Sequence, residues 1–227
     1  MFSLSAHPRL LDSKIAIRRI VKLSSAESTE ATKMLAEAFY DSPLFRWAFP
    51  AQEIRGDILQ TLFSAILDDA VQFGRLEIAY RDKMLGLLIW YPPGSYPLSW
   101  FRMLRGLPKY LRITLTSPFG VFKLFRAQTT LNRSRPGSPH CHAYFLGARR
   151  GEAIGQTLSR NFLREADAKQ WSVYLETQEP RTVALYNRLG FKIMRSDIKT
   201  PMGGPLTSNM WRQPAHGSRP EARPSPD

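Results

Sequence analysis

The chain has 227 residues, of which 43% are hydrophobic, enough to bury one ordinary core and short for two full domains. Its single cysteine, Cys141, excludes an internal disulfide framework and a cysteine-based metal cluster, and His140 and His142 find no further Cys or His nearby to complete a tetrahedral set, so no metal is expected. No apolar run approaches the roughly 18 residues of a membrane span, and the formal net charge of +13 points to anionic partners.

Met1 to Lys14 lacks a continuous apolar core before a small-residue cleavage site, and Asp12 and Pro8 argue against a mitochondrial presequence. Residues 1–14 are therefore expected to be a flexible leader on a cytoplasmic protein. Ile15 to Leu23 is rich in β-branched and aliphatic residues, as a first strand would be. Ser24 and Glu27 have capping-box spacing, and Met34, Leu35, Ala38 and Phe39 form the apolar stripe of a helix ending near Tyr40. A second helix is expected from Glu53 to about Ala70, with Ile54, Ile58, Leu59, Leu62, Phe63 and Ile66 on its core face. Leu76–Tyr80 and Met84–Tyr91 read as a hairpin turning at Arg81-Asp82-Lys83 and ended by Pro92-Pro93-Gly94.

The segment that follows, about residues 95–136, is a helical insertion divided by Pro97, Pro108 and Pro118. From Lys83 to Gly151 there is no acidic residue. Arg102, Arg105, Lys109 and Arg112 fall near helical spacing, opposite Phe101, Leu104, Leu107 and Leu111. The expectation is a solvated basic face, with contact to a membrane surface or an acidic substrate as the alternative.

His140 to Ala148 is expected to be a central strand, and Glu152 to Lys169 a helix with Ile154, Leu158, Phe162, Leu163 and Ala166 inward. Between them, Leu146-Gly147-Ala148-Arg149-Arg150-Gly151-Glu152-Ala153-Ile154-Gly155 joins strand to helix through small residues and two arginines. Such a turn lets the backbone approach a phosphate and aims unpaired helix N–H groups at it. Turns of this kind also serve as plain packing devices, and both readings stand at this point. Val173–Thr177 is a further strand, Arg181–Leu189 a short helix closed by Gly190, and strands near Phe191–Ser196 and Ser208–Arg212 finish the sheet. Residues 214–227, rich in Pro, Gly, Ser and Arg, are expected to be a disordered tail.

Two motifs in order, the turn above and Tyr186-Asn187-Arg188-Leu189-Gly190-Phe191, make the chain resemble the Gcn5-related N-acetyltransferase (GNAT) superfamily. Ala38 to Trp47 and Trp90-Tyr91-Pro92-Pro93-Gly94 are similar to segments of a microbial branch of that superfamily, so the resemblance covers most of residues 15–212. It implies an α/β (α+β) fold: a mixed, mostly antiparallel sheet of about six to seven strands flanked by helices, formed by residues 15–213 as one domain. It implies acetyl-CoA as co-substrate, an amine acceptor of unidentified class, and no specific nucleic acid.

The resemblance also assigns sites. Backbone groups near Leu146, Gly147 and Ala148 would hold the pantetheine arm, and Arg150, Gly151, Glu152, Ala153, Ile154 and Gly155 would line the pyrophosphate turn. Tyr186 would protonate the departing thiolate; the alternative is an ordinary helix aromatic packed on the sheet. His142 falls where some members place a catalytic glutamate, with Glu176 on the neighbouring strand as substitute, and in many members water carries the proton. The turn is shorter than the usual pattern by about three residues, and Thr182 stands where asparagine is common. These departures support an alternative, a non-catalytic CoA-binding or partner-binding protein on a degenerate GNAT fold.

Overall fold

The computed structural model describes residues 15–149 and 153–215. The N-terminal leader, Arg150, Gly151 and Glu152, and all but the first two residues of the C-terminal tail lie outside the described residues. Seven strands form one sheet in the order β1-β2-β3-β4-β5-β7-β6: β1 (Ala16–Ile20), β2 (Arg75–Tyr80), β3 (Met84–Tyr91), β4 (Cys141–Ala148), β5 (Val173–Thr177), β6 (Lys192–Lys199) and β7 (Leu206–Arg212). Every neighbouring pair is antiparallel except β4 with β5.

The sheet is covered on both faces, which explains why β3 is buried at every position. Leu87, Ile89 and Tyr91 of β3 point into a core shared with α1 (Ser25–Phe39), α2 (Pro43–Ala48) and α3 (Gln52–Phe73). Leu88 and Trp90 point the other way, into a core closed by α7 (Ile154–Ala168) and α8 (Pro180–Arg188). The five inward residues expected on α7 are all buried there. Gly86 is held by close approach: a Cβ on it would meet Ile154 Cγ2 at 2.7 Å and Gly147 O at 2.9 Å.

Ser24 caps α1 as its spacing predicts, its hydroxyl accepting from Glu27 N while the Glu27 carboxylate accepts from Ser24 N. The six-residue α2 carries no long periodic pattern and was not expected from the sequence. Ser42 caps it, its hydroxyl accepting from Phe45 N, and Pro43 supplies the helical φ at its start.

The insertion is helical, and two of its prolines stand at the starts of helices. The helices are α4 (Trp100–Arg105), α5 (Leu107–Thr116) and α6 (Pro118–Ser134), with Pro108 and Pro118 in the first turns of the last two. Its polarity departs from the expected solvated basic face: Arg105 and Arg112 are exposed, but Arg102 and Lys109 turn inward. Arg102 grips Asp69 of α3 through two bonds of 2.9 and 2.6 Å, Lys109 donates to Asp68 at 2.5 Å, and Arg105 donates to Gln72 at 2.6 Å. Phe101, Leu104, Leu107 and Leu111 are exposed. The cause is α3, whose Asp68, Asp69 and Gln72 present acceptors toward the insertion.

Candidate active site

β4 and β5 pair only at Cys141↔Val173 and His142↔Tyr174, although β4 runs on to Ala148 and β5 to Thr177. Beyond those pairs the strands part, and the edge of β4 that would have faced β5 has no strand partner. A bulge helps to turn β4: Ile89 faces Phe145 and Trp90 faces Ala143, so Tyr144 is the extra residue.

A cleft of about 730 Å³ occupies the gap. Its walls come from Ala38 and Phe39 at the end of α1, Ser42 and Pro43 at the start of α2, Tyr144 to Leu146 and Ala148 on β4, Glu176 and Thr177 on β5, and Thr182 and Tyr186 on α8. The last two apolar positions predicted for α1 thus serve the cleft rather than the deep core. Behind them, Phe39 and Phe63 pack edge-on or tilted against Phe145 and each other at 5.1–5.5 Å.

Glu176 faces the cleft from β5. Burial pushes its carboxyl up to about 7, against the opposing effects of the Tyr174 hydroxyl and the charge of Arg135. Tyr174, two residues back on the same face of the strand, donates to Glu176 Oε1 at 2.9 Å. Tyr186 packs its ring against Phe191 at 5.3 Å, and burial pushes its phenol up to about 12. This tyrosine is packed in the core as an ordinary helix aromatic would be, and it also lines the cleft.

His142 is placed elsewhere. It occupies the last paired position of β4, before the strands part, and does not line the cleft. Burial and the nearby charges of Arg135 and His140 hold its pKa well below the usual imidazole value, and its Nδ1 has no protein partner among the described residues. The rings of Tyr96, Tyr144 and Tyr174 surround it at 4.2–5.5 Å.

The predicted cofactor segment divides. Leu146, Ala148 and Gly155 line the cleft. Gly147 faces away, where a Cβ would sit 3.0 Å from Leu35 of α1, so its small size serves helix-on-sheet packing. Ile154 is buried in the α7 core, and Ala153 precedes the helix, which has no side-chain cap and no acidic residue in its first turn. Among the described residues its first-turn N–H groups lack a side-chain acceptor, the condition an anion needs. The pyrophosphate assignments to Arg150, Gly151 and Glu152 lie outside the described residues. Arg149, one of the two arginines of the turn, lines the cleft while its Nε donates to Met84 O at 3.0 Å. A cation directly after the strand was the signal that could have found it. Tyr144 and Phe145 carried no comparable signal, because their direction depends on the bulge.

Among the described residues no group of three or more His, Cys, Asp or Glu could hold a metal ion, and no helix is long and apolar enough to cross a membrane. No protein-family model and no curated protein matches the sequence. Solved structures do match the fold. A histone acetyltransferase HPA2 and related acetyltransferase from Corynebacterium glutamicum superposes with a TM-score of 0.63 at 20% identity, covering 90% of this chain and 99% of that one. The C-terminal condensation domain of Ebony, in complex with beta-alanyl-dopamine, has a TM-score of 0.54 at 14% identity over 88% of this chain and 100% of its own. A protein assigned to the GNAT acetyltransferases from Desulfovibrio desulfuricans has 0.51 at 12% over 88% and 99%. The chain has the GNAT fold, a seven-stranded, mostly antiparallel sheet flanked by helices.

Proposed function

We propose that this chain, carrying the GNAT fold, is an N-acetyltransferase that moves the acetyl group of acetyl-CoA directly to an amine in the β4–β5 cleft. One observation carries the reading: the two parallel strands part after two residue pairs, and the cleft so formed holds a raised carboxylate, Glu176, and a buried phenol, Tyr186. The fit to the co-substrate rests on the unpaired edge of β4 for the pantetheine amides, and on the uncapped start of α7 with Arg149 for phosphate. We assign the pyrophosphate turn to Arg150, Gly151 and their neighbours by the same reasoning.

The thioester supplies the acyl group; the chain's residues manage the protons. An amine arrives mostly as ammonium and must lose a proton to become a nucleophile. Glu176, with a carboxyl near 7, is a strong enough base to accept it and a weak enough one to be ionised at neutral pH. Tyr174 orients that carboxylate by its hydrogen bond. Tyr186 stays protonated across the working pH range and donates toward the departing sulfur. His142, held neutral behind the cleft wall, has no step in this scheme and serves the packing of the β4–β5 junction.

The test is calorimetric titration of acetyl-CoA, followed by an amine panel read by release of free thiol. Binding by the parent, lost in Arg150→Glu/Gly151→Val, together with thiol release that depends on the amine, is the expected result. Tight binding with no thiol release over the whole panel favours the non-catalytic alternative. Absence of binding by well-folded protein overturns both.

A further inference from the structure

Most of the large apolar side chains exposed among the described residues fall between Trp100 and Phe125, on three consecutive helices. Trp100 and Phe101 are 62% and 64% exposed with their rings 3.7 Å apart, Leu115 is 77% exposed and Phe125 64%. On α5, Leu107, Leu111 and Leu115 recur every four residues, so they form one outward stripe. A soluble surface rarely leaves so much contiguous apolar area without a use. The usual remedy, turning these residues inward, is blocked because the opposite side of α4 and α5 is tied to α3 through Arg102–Asp69 and Lys109–Asp68.

The charges around the patch decide what can cover it. No Asp or Glu occurs between Asp82 and Glu152. Arg112, Arg126 and Arg133 are exposed, with no carboxylate partner among the described residues. A second copy seated on the same face would bring cation against cation with no acid on α4, α5 or α6 to neutralise it. An anionic bilayer meets both halves of the pattern: aromatic and leucine side chains enter the acyl boundary, and arginines reach the headgroups.

We propose that the outer face of α4, α5 and α6 docks this protein in the plane of an anionic lipid surface, without crossing it. Apolar insertion supplies the hold, and the arginine rim selects negatively charged lipid.

The experiment is co-sedimentation of the full chain with phosphatidylcholine vesicles, with and without roughly 30% phosphatidylserine, at low and high salt. Partition into the serine-containing vesicles is expected, weaker at high salt. Trp100→Ser/Phe101→Ser and Leu115→Ser/Phe125→Ser should each lower the partition coefficient at least roughly tenfold. Arg112→Glu/Arg126→Glu should remove the preference for phosphatidylserine. All six side chains are exposed, so each variant is expected to keep the parent's circular dichroism and acetyl-CoA affinity. The proposal is overturned if folded parent stays in the supernatant of both vesicle types at low salt, or if the apolar variants partition like the parent. It is equally overturned if those variants abolish a concentration-dependent dimer in a protein that ignores vesicles, which would assign the face to a second copy.

Discussion

Two glutamates on the same sheet, Glu77 of β2 and Glu176 of β5, have opposite surroundings. Glu77 is 1% exposed and saturated: one carboxylate oxygen accepts from Trp90 Nε1 and Arg19, the other from Asn161 Nδ2 at 2.8 Å. Arg19 in turn bridges to Glu165 of α7, tying β1 and β2 to that helix. Among the described residues Glu176 has one donor, the Tyr174 hydroxyl, and it faces an open cleft. A carboxylate with donors on both oxygens is a structural joint; one left short of donors keeps its proton affinity and has room for a substrate.

The comparison breaks most readily at the saturated site. Glu77→Ala strands an indole N–H, an amide and a guanidinium, and should cost about 3 kcal/mol in denaturant unfolding, with activity per folded molecule retained. Loss of activity in a fully folded Glu77→Ala protein would mean that the joint also positions the cleft.

At the open site, Glu176→Gln should lower kcat/KM roughly 10²-fold, about 2.7 kcal/mol in the barrier. In the parent, log(kcat/KM) should rise with pH and level off above about 7, where Glu176 is ionised; this limb should vanish in the variant. Stability runs the other way. The carboxyl's folded-state pKa is raised from 4.5 to about 7, so its contribution is fully present below the lower value and lost as pH rises through the upper. Glu176→Gln should therefore melt higher than the parent at pH 8, with the gap closing on acidification. A melting point lowered at pH 8 would show Glu176 to be a joint like Glu77.

Tyr186→Phe should cost roughly tenfold in turnover with acetyl-CoA affinity unchanged, because a thiolate is a tolerable leaving group even without a matched acid. Unchanged turnover would reduce this residue to its packing on Phe191. The smallest effect belongs to an exposed pair, Lys33 with Glu37 at 4.0 Å. Lys33→Ala should shift stability by less than about 0.5 kcal/mol, which calibrates the others.

The amino-acid sequence was most legible where the signal is local. The capping box at Ser24, the hairpin of β2 and β3, and the apolar stripe of α7 depend on spacings within one element, and each is found where expected, with helix ends moved by a few residues. Tyr186 and Glu176 were named from motif and strand position, and both line the cleft. The insertion was misread because its period is the same whichever face looks outward. Only the acceptors of α3, distant in sequence, reveal that Arg102 and Lys109 turn inward. His142 was ranked above Glu176 because counting along a strand ignores where its neighbour departs.

The sequence by itself determined the long helices, the strands and which residue types are available for acyl-transfer chemistry, because period and capping are properties of the chain alone; the short α2 escaped it. Tertiary structure decided which of those residues meet. The parting of β4 from β5, the extra residue at Tyr144 and the acidic side of α3 are relations between distant segments. They alone set which polar groups are fully paired, which are left with proton affinity to spare, and which apolar faces remain without a cover.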